Sequence, residues 1–357
     1  MILSLLLIIL ALFGAPLFTV IAASAMLGYY TEGIDMMAMA IEVIGLANMP
    51  MLSAIPLFTF AGYLLSESGA PRRLVNLTTA LFGWLPGGLA LVALAACAFF
   101  TAFTGASGVT IIALGAILYP ALQQDGYPDN FNLGLVTTSG SLGLLFAPSL
   151  PLILYAVVAE ISIQDLFKAG LLPGLLMLLL LGGYSLWINR DNRQPLKEFS
   201  WQRVYAAVGA AKWEIPLPIF VLGGIYSGLF AVSEAAAVTA LYVLVVEVFI
   251  LREISIKQLP DVMRESMLLV GGILIILAVS LASTNYMIDA GIPQKLLEYI
   301  TNFVSSQASF LLLLFIFLLI LGAILDIFSA VVLVVPLILP IAALYDVNHF
   351  HLGIIFL

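Results

Sequence analysis

Apolar residues in this chain fall in blocks near the twenty or so needed to cross a bilayer, separated by short polar segments. Blocks at 2–27, 51–68, 130–158, 166–188, 215–231, 235–250 and 266–288 each predict one membrane helix, the third interrupted, and another begins near 349. Two further blocks, 87–121 and 307–343, are too long for one helix and too short for two comfortable spans with a loop. Each breaks at its middle, at Thr104-Gly105-Ala106-Ser107-Gly108 in the first and at Asp326-Ile327-Phe328-Ser329 in the second. The economical reading is a pair of re-entrant helical hairpins, each entering and leaving on one side. Non-helical backbone at that depth survives only where protein or a wet cavity satisfies it.

The two hairpins sit at equivalent places in an internal duplication. Ser68-Gly69-Ala70-Pro71-Arg72-Arg73-Leu74 answers to Ala290-Gly291-Ile292-Pro293-Gln294-Lys295-Leu296, with the glycines 222 residues apart. Tyr119-Pro120 answers to Leu339-Pro340 at an offset of 220, and Phe131-Asn132-Leu133-Gly134 to Phe350-His351-Leu352-Gly353 at 219. In a membrane chain such a repeat is the usual mark of a secondary transporter with a midplane site.

Composition fixes the solvent. The 357 residues are 63% hydrophobic and 9% charged, against about 25% charged in a soluble domain, so this is a polytopic membrane protein. Its net charge of −8 is spread over short loops, and no basic patch points to nucleic acid. The single Cys97 excludes a disulfide framework and a thiolate metal site. The segment Met1 to Leu27 is too long for a signal's apolar core and lacks its basic start, so it reads as a first membrane helix. Arg190, Arg193, Lys197, Arg203 and Lys212 against Asp191 and Glu198 place the 189–212 loop in the cytoplasm. Counting spans from there puts Arg72 and Arg73 inside and the 291–295 segment outside. The two halves then face opposite ways, as alternating access by an inverted repeat requires.

The chemistry is expected where helices break. Thr137-Thr138-Ser139-Gly140-Ser141-Leu142-Gly143-Leu144-Leu145-Phe146-Ala147-Pro148-Ser149-Leu150-Pro151 combines hydroxyls, glycines and prolines inside an apolar crossing, poor material for a continuous helix. Unwinding frees carbonyl oxygens suited to a hard cation, and half-helix N-termini suit an anion. The alternative is a proline-kinked helix whose Ser and Thr bond back to their own carbonyls.

An ordered set of motifs resembles the large membrane subunit (DctM-like) of the TRAP family, the tripartite ATP-independent periplasmic transporters of bacteria and archaea. It comprises Gly105-Ala106-Ser107-Gly108 with Ala113-Leu114-Gly115, Tyr119-Pro120-Ala121-Leu122, Asp125-Gly126-Tyr127, Ser149-Leu150-Pro151 and Ala169-Gly170-Leu171-Leu172-Pro173-Gly174. It continues through Gly223-Gly224-Ile225-Tyr226-Ser227-Gly228, Ser233-Glu234-Ala235-Ala236-Ala237, Asp326 and Pro336 to Pro340, nearly the whole chain. The resemblance implies an all-α inverted-repeat elevator with two re-entrant hairpins and broken helices. Its parts would be scaffold helices at 1–68, an arm helix at 69–86 and a first transport half at 87–165. Scaffold helices with the cytoplasmic loop at 166–290, a second arm at 291–306 and a second transport half at 307–357 would follow. It implies Na+ as the coupling ion and no organic cofactor. Its implied partners are a small four-helix membrane subunit, a periplasmic substrate-binding protein and a small organic anion, in a bacterial or archaeal inner membrane.

By position, the resemblance assigns Na+ to Thr104 and Ala106 at the hairpin tip and to Gly143, Leu145 and Pro148 in the unwound loop, mostly through carbonyls. Ser107, Thr110, Ser139 and Ser141 are the candidate substrate contacts. Relatives often carry an acidic residue where this chain has Thr110, and two successive prolines at Ala147-Pro148. Asp326 with Ser329 either shapes a second Na+ site or caps the helix that follows. Glu234 is expected to cap the helix it opens. Glu247 is expected near a cytoplasmic helix end, reaching for water or the small subunit. No His, Cys or second Asp accompanies Ser107, Ser139 or Asp326, so nothing suggests an enzyme. A scaffold subunit would leave the broken helices unexplained. A stand-alone divalent-anion/Na+ symporter of the same two-hairpin design is the rival within transporters. The second copy of the Thr137–Pro151 loop is expected to begin near residue 357, so the complete protein is expected to extend roughly 60 to 80 residues further, by comparison with the first half.

Overall fold

The computed structural model describes residues 7–357 apart from 8, 12, 86, 191–198, 302, 303, 305 and 324, with backbone only at 47, 293, 296, 297, 299 and 301. The loop charges Asp191, Arg193, Lys197 and Glu198 lie outside the described residues. No strand occurs among the described residues. Helices α1 (Leu17–Glu32), α2 (Met37–Ala47) and α3 (Ala54–Glu67) are followed by an amphipathic α4 (Ala70–Phe82) and the pair α5 (Gly88–Thr104) and α6 (Ser107–Gln124). Next come α7 (Asp129–Leu142), a 3-10 turn (Gly143–Leu145), α8 (Leu150–Val158), α9 (Ile163–Ile188), α10 (Trp201–Ala210) and α11 (Pro216–Tyr226). Helix α12 (Val232–Leu244) widens into a π turn (Val245–Ile250) before α13 (Leu259–Asp289), α14 (Ile292–Thr301), α15 (Gln307–Gly322), α16 (Ile327–Leu344) and α17 (His349–Phe356). Among these, α6, α9, α12 with its π turn, α13 and α16 are long and apolar enough to cross a membrane, and up to seven spans result if each bent pair counts as one. The chain is a multi-pass membrane protein.

Two compact units emerge, one of residues 53–153 and 162–267, the other of residues 1–52, 154–161 and 268–357. In the first, α5 is the central helix. It is apolar all round, as a helix buried on every side must be, with Ala90, Val92, Ala93, Ala96 and Cys97 fully buried. Its small residues let neighbouring helices approach closely, the usual basis of helix packing where lipid offers no hydrophobic gradient. In the second unit, Phe310, Leu314, Val334, Ile338, Ile341, Ala342 and Leu352 form a core joining α15, α16 and α17. Phe310 stacks on Tyr345, ring centroids 4.8 Å apart, and Gln307 donates to the Asp346 carbonyl at 3.0 Å. These contacts join residues nearly forty positions apart, so the chain doubles back between them.

The duplication is visible in the backbone. At the end of α6, the Gly126 and Tyr127 amides donate to Gln123 and Leu122 carbonyls, and Gly126 has φ +77°. At the end of α16, the Asp346 and Val347 amides donate to Ala343 and Ala342 in the same pattern, and Asp346 has φ +54°. The left-handed residue is the ordinary helix terminator; glycine supplies it in one copy and aspartate, which tolerates it, in the other. The N-cap positions of α6 and α16 are Ala106 and Asp326. This pairs Asp326 with Ala106 rather than with Gly105, one residue from the register read in the sequence.

Two expectations are corrected. The first apolar block is not one helix over 2–27. Gly14 at φ +86° and Pro16 at the N-cap of α1 interrupt it, because proline has no N–H to continue a helix. Glu247 does not reach for solvent or a partner: it is 1% exposed and lies beside Arg73. Glu234 does cap α12, accepting from the Ala231 amide at 2.9 Å.

Candidate functional site

The first break is built by two adjacent residues. Gly105 takes a left-handed conformation, φ +64°, and its amide closes α5 on the Thr101 carbonyl at 2.7 Å. Ala106 is extended and supplies no side-chain cap to α6, so the first amides of α6 keep their positive end uncapped by a side chain. Nine residues along one straight helix would separate Thr101 from Thr110 by about 13 Å, yet their hydroxyl oxygens lie 2.8 Å apart. The chain therefore folds back on itself at 105–106.

This fold-back gathers hydroxyls that are all fully buried. Thr104 Oγ1 lies 3.1 Å from Thr110 Oγ1, and Thr110 Oγ1 lies 3.4 Å from the Ala106 carbonyl. Thr101 Oγ1 also lies 2.9 Å from the Gly140 carbonyl of α7, so one hydroxyl proton is shared between that carbonyl and Thr110. Thr101 was not predicted, although it falls one helical turn before Thr104 on the same face.

The interrupted block is broken as expected. Helix α7 ends in the 3-10 turn Gly143–Leu145, the chain runs through Phe146 to Ser149, and α8 resumes at Leu150. The Ala147–Pro148 peptide is cis. Glycine is required at several places here. A Cβ on Gly62 of α3 would lie 2.5 Å from Thr104 Cα, and one on Gly105 would overlap the Leu150 side chain. The hydroxyls before the break return to their own helix: Thr137 to the Leu133 carbonyl at 2.8 Å, Ser139 to Val136 at 3.2 Å and Ser141 to Thr138 at 3.1 Å. Thus the broken segment and the back-bonded Ser and Thr occur together, where the sequence posed them as alternatives.

The structure brings Thr104, Ala106, Ser107, Thr110, Ser139 and Gly143 around the contact of α5, α6 and α7 in one unit. The Gly140 position abuts Ile111 and the Ser107 carbonyl, and the Gly143 position abuts α5 at the Ala102 amide. Leu145 and Pro148 are buried in the same broken segment, whereas Ser141 is exposed. Asp326 and Ser329 belong to the other compact unit. There Asp326 is exposed and accepts from the Phe328 and Ser329 amides at 3.1 and 3.2 Å and from the Ser329 hydroxyl at 2.5 Å. Capping is therefore one of its roles. Asp326→Ala is expected to cost about 1 kcal/mol through the lost cap, and Asp326→Asn much less because its carbonyl oxygen still accepts. Thermal unfolding of the two variants side by side checks the difference.

The family model described as "Tripartite ATP-independent periplasmic transporter, DctM component" matches residues 2–357. An isethionate TRAP transporter permease protein of Oleidesulfovibrio alaskensis is 32% identical over 343 residues, covering 96% of this chain and 53% of the relative. A C4-dicarboxylate TRAP transporter large permease protein of Rhodobacter capsulatus is 33% identical, covering 85% and 72%. An ectoine/5-hydroxyectoine TRAP transporter large permease protein of Ruegeria pomeroyi is 32% identical, covering 81% and 69%. The chain thus spans about half the length of the first and roughly seven-tenths of the other two.

Proposed function

Because the chain belongs to the DctM family, the large permease component of tripartite ATP-independent periplasmic transporters, we propose that it imports a small organic anion by Na+-coupled elevator transport across a bacterial or archaeal inner membrane. The observation that carries this reading is the first fold-back: an uncapped half-helix and a buried hydroxyl cluster packed against a broken helix. Both hairpins would be re-entrant, each opening from its own side and moving with the mobile domain.

One Na+ would sit among Thr104, Ala106, Gly143, Leu145 and Pro148, held largely by carbonyl oxygens, which hard monovalent cations favour. A second would involve Asp326 and Ser329, with capping and coordination divided between the two carboxylate oxygens. Ser107 and the uncapped N-terminus of α6 would face the anion, with Thr110, Ser139 and Ser141 lining or supporting the path. Relatives named for isethionate and for C4-dicarboxylates support an anionic cargo, and the relative named for ectoine puts a zwitterion in the test panel. A substrate-binding protein would deliver the cargo to the permease and its small four-helix partner.

Uptake into proteoliposomes containing the permease complex tests this. Accumulation is expected to require both the binding protein and an inward Na+ gradient. Equal accumulation without Na+ would overturn the coupling, and uptake without the binding protein would favour the stand-alone symporter. Asp326→Asn is expected to shift the Na+ concentration needed for half-maximal uptake while leaving stability near that of the parent.

A further inference from the structure

Arg73 on α4 is the one cation in a cluster with three carboxylates. Its Nε lies 2.5 Å from Glu214 Oε1, its Nη1 meets Glu253 Oε1, and its Nη2 lies 3.5 Å from Glu247 Oε1. Glu214 and Glu247 are 2% and 1% exposed, and the second oxygen of each is buried without a hydrogen-bond partner. The π turn Val245–Ile250 carries Glu247, and the Glu253 and Ile254 amides both close on the Glu247 carbonyl. Single π turns are rare and concentrate at functional positions.

Charge balance decides what this arrangement needs. One guanidinium cannot neutralise three carboxylates, and a buried unpaired carboxylate is among the costliest groups a fold can hold. The Glu247 and Glu253 carboxyls also hydrogen-bond each other. An ionised carboxylate only accepts, so that bond requires a proton between them. The other groups that face the cluster supply no second cation. The Tyr242 phenol donates to the Trp213 carbonyl at 2.9 Å, and the groove beyond Glu253 is lined by Glu67, Asp261 and Glu265.

We propose that Arg73, Glu214, Glu247 and Glu253 form a proton-binding site, one proton shared between the Glu247 and Glu253 carboxyls, that latches α4 to α11 and α12. The proton belongs to the cluster rather than to one residue. Its release leaves two surplus negative charges around one guanidinium and loosens α4, the arm helix, on the face where the basic loop also lies. The site stands independently of what the protein carries.

The folded cluster holds a proton that the unfolded chain, whose carboxyls titrate near pH 4, has already lost. Stability must then fall as pH rises through the cluster's titration, with the unfolding constant growing about tenfold per pH unit where one proton is released. Thermal unfolding of the purified protein is expected to show this fall between about pH 6 and about pH 9, and Glu247→Gln, the neutral isostere, is expected to flatten it. Infrared spectra at neutral pH are expected to contain a protonated-carboxyl band that Glu247→Gln removes. A band and slope unchanged in Glu247→Gln would overturn the proposal. So would wild-type stabilisation by Na+ over a large organic cation that Glu247→Gln abolishes, since the balancing cation would then be Na+. Glu253→Gln, at the exposed end of the pair, gives a second variant should Glu247→Gln fold poorly; it too must lose the band.

Discussion

Arg73→Ala is expected to destabilise the protein by about 3–5 kcal/mol, the range for removing one partner of a buried ion pair. The loss is not that of three contacts. It is the desolvation of Glu214 and Glu247, left buried with no guanidinium beside them. Arg73→Lys is expected to recover only part of it, because a single ammonium lacks the fork that meets three carboxylates at once. Glu253 adds a signed test. Burial pushes its carboxyl up, but hydrogen bonds from Arg73 and the Gly69 amide, 2.6 Å away, outweigh this and hold it below the ordinary value. A depressed carboxyl contributes stability that is present above its unfolded pKa and lost as pH falls through the folded one. Wild type should therefore weaken again in acid, below about pH 4, whereas Arg73→Ala should gain stability as pH is lowered from neutral, because protons then neutralise its orphaned carboxylates. Melting curves of the two proteins across pH check both signs, and coincident curves would show that the cluster contributes nothing.

The parts of the fold legible in the sequence were those that repeat or break a period. Gly105 and Ala106 announced a stop in an apolar run, and the run of glycines and prolines after Gly140 announced a second. Gly126 and Asp346 show why the copies align: a helix terminator needs one left-handed residue, and only a few residue types supply it. The apolar pattern does not predict α2 or α10. Glu42 and Gly45 blur the first, and Trp201-Gln202-Arg203 makes the second amphipathic, with its exposed aromatics Trp201 and Tyr205, rather than apolar throughout.

What stayed hidden depends on long-range pairing. Arg73 reads in the sequence as half of a basic pair at an orientation-setting turn. Its neighbour Arg72 has the same residue type, and nothing local tells which of the two turns inward. Its partners lie 141 and 180 residues away, and Glu247 reads as a helix-end charge until the π turn rotates it. Thr101 stayed hidden for the opposite reason. A threonine in an apolar helix ordinarily bonds to its own turn, and only the fold-back brings Thr110 and Gly140 to it.

Gly143→Val should abolish transport and destabilise the first unit, for a reason that lies in backbone rather than in side chains. Gly143 has φ −68°, so conformation permits any residue. Space does not: a Cβ there overlaps the Ala98 carbonyl and the Thr101 side chain and approaches the Ala102 amide to 2.6 Å. These atoms belong to α5, which is packed on all sides, so the added group can be accommodated only by moving a central helix. Overpacking in such a setting costs about 1–3 kcal/mol and occasionally more. The displacement falls where Thr101 holds the Gly140 carbonyl and Thr110, so the fold-back and the broken helix separate together. Gly134→Ala in α7 is the control: no atom lies within 4 Å of its Cβ position, and replacing a mid-helix glycine should stabilise by about 0.5–1 kcal/mol. Melting midpoints and substrate uptake measured on both variants separate a requirement for space from a general intolerance of change. Uptake by Gly143→Val at the parental rate would mean that α5 and the broken helix are not held as one body, and with it the reading of this contact as an ion and substrate site would fall.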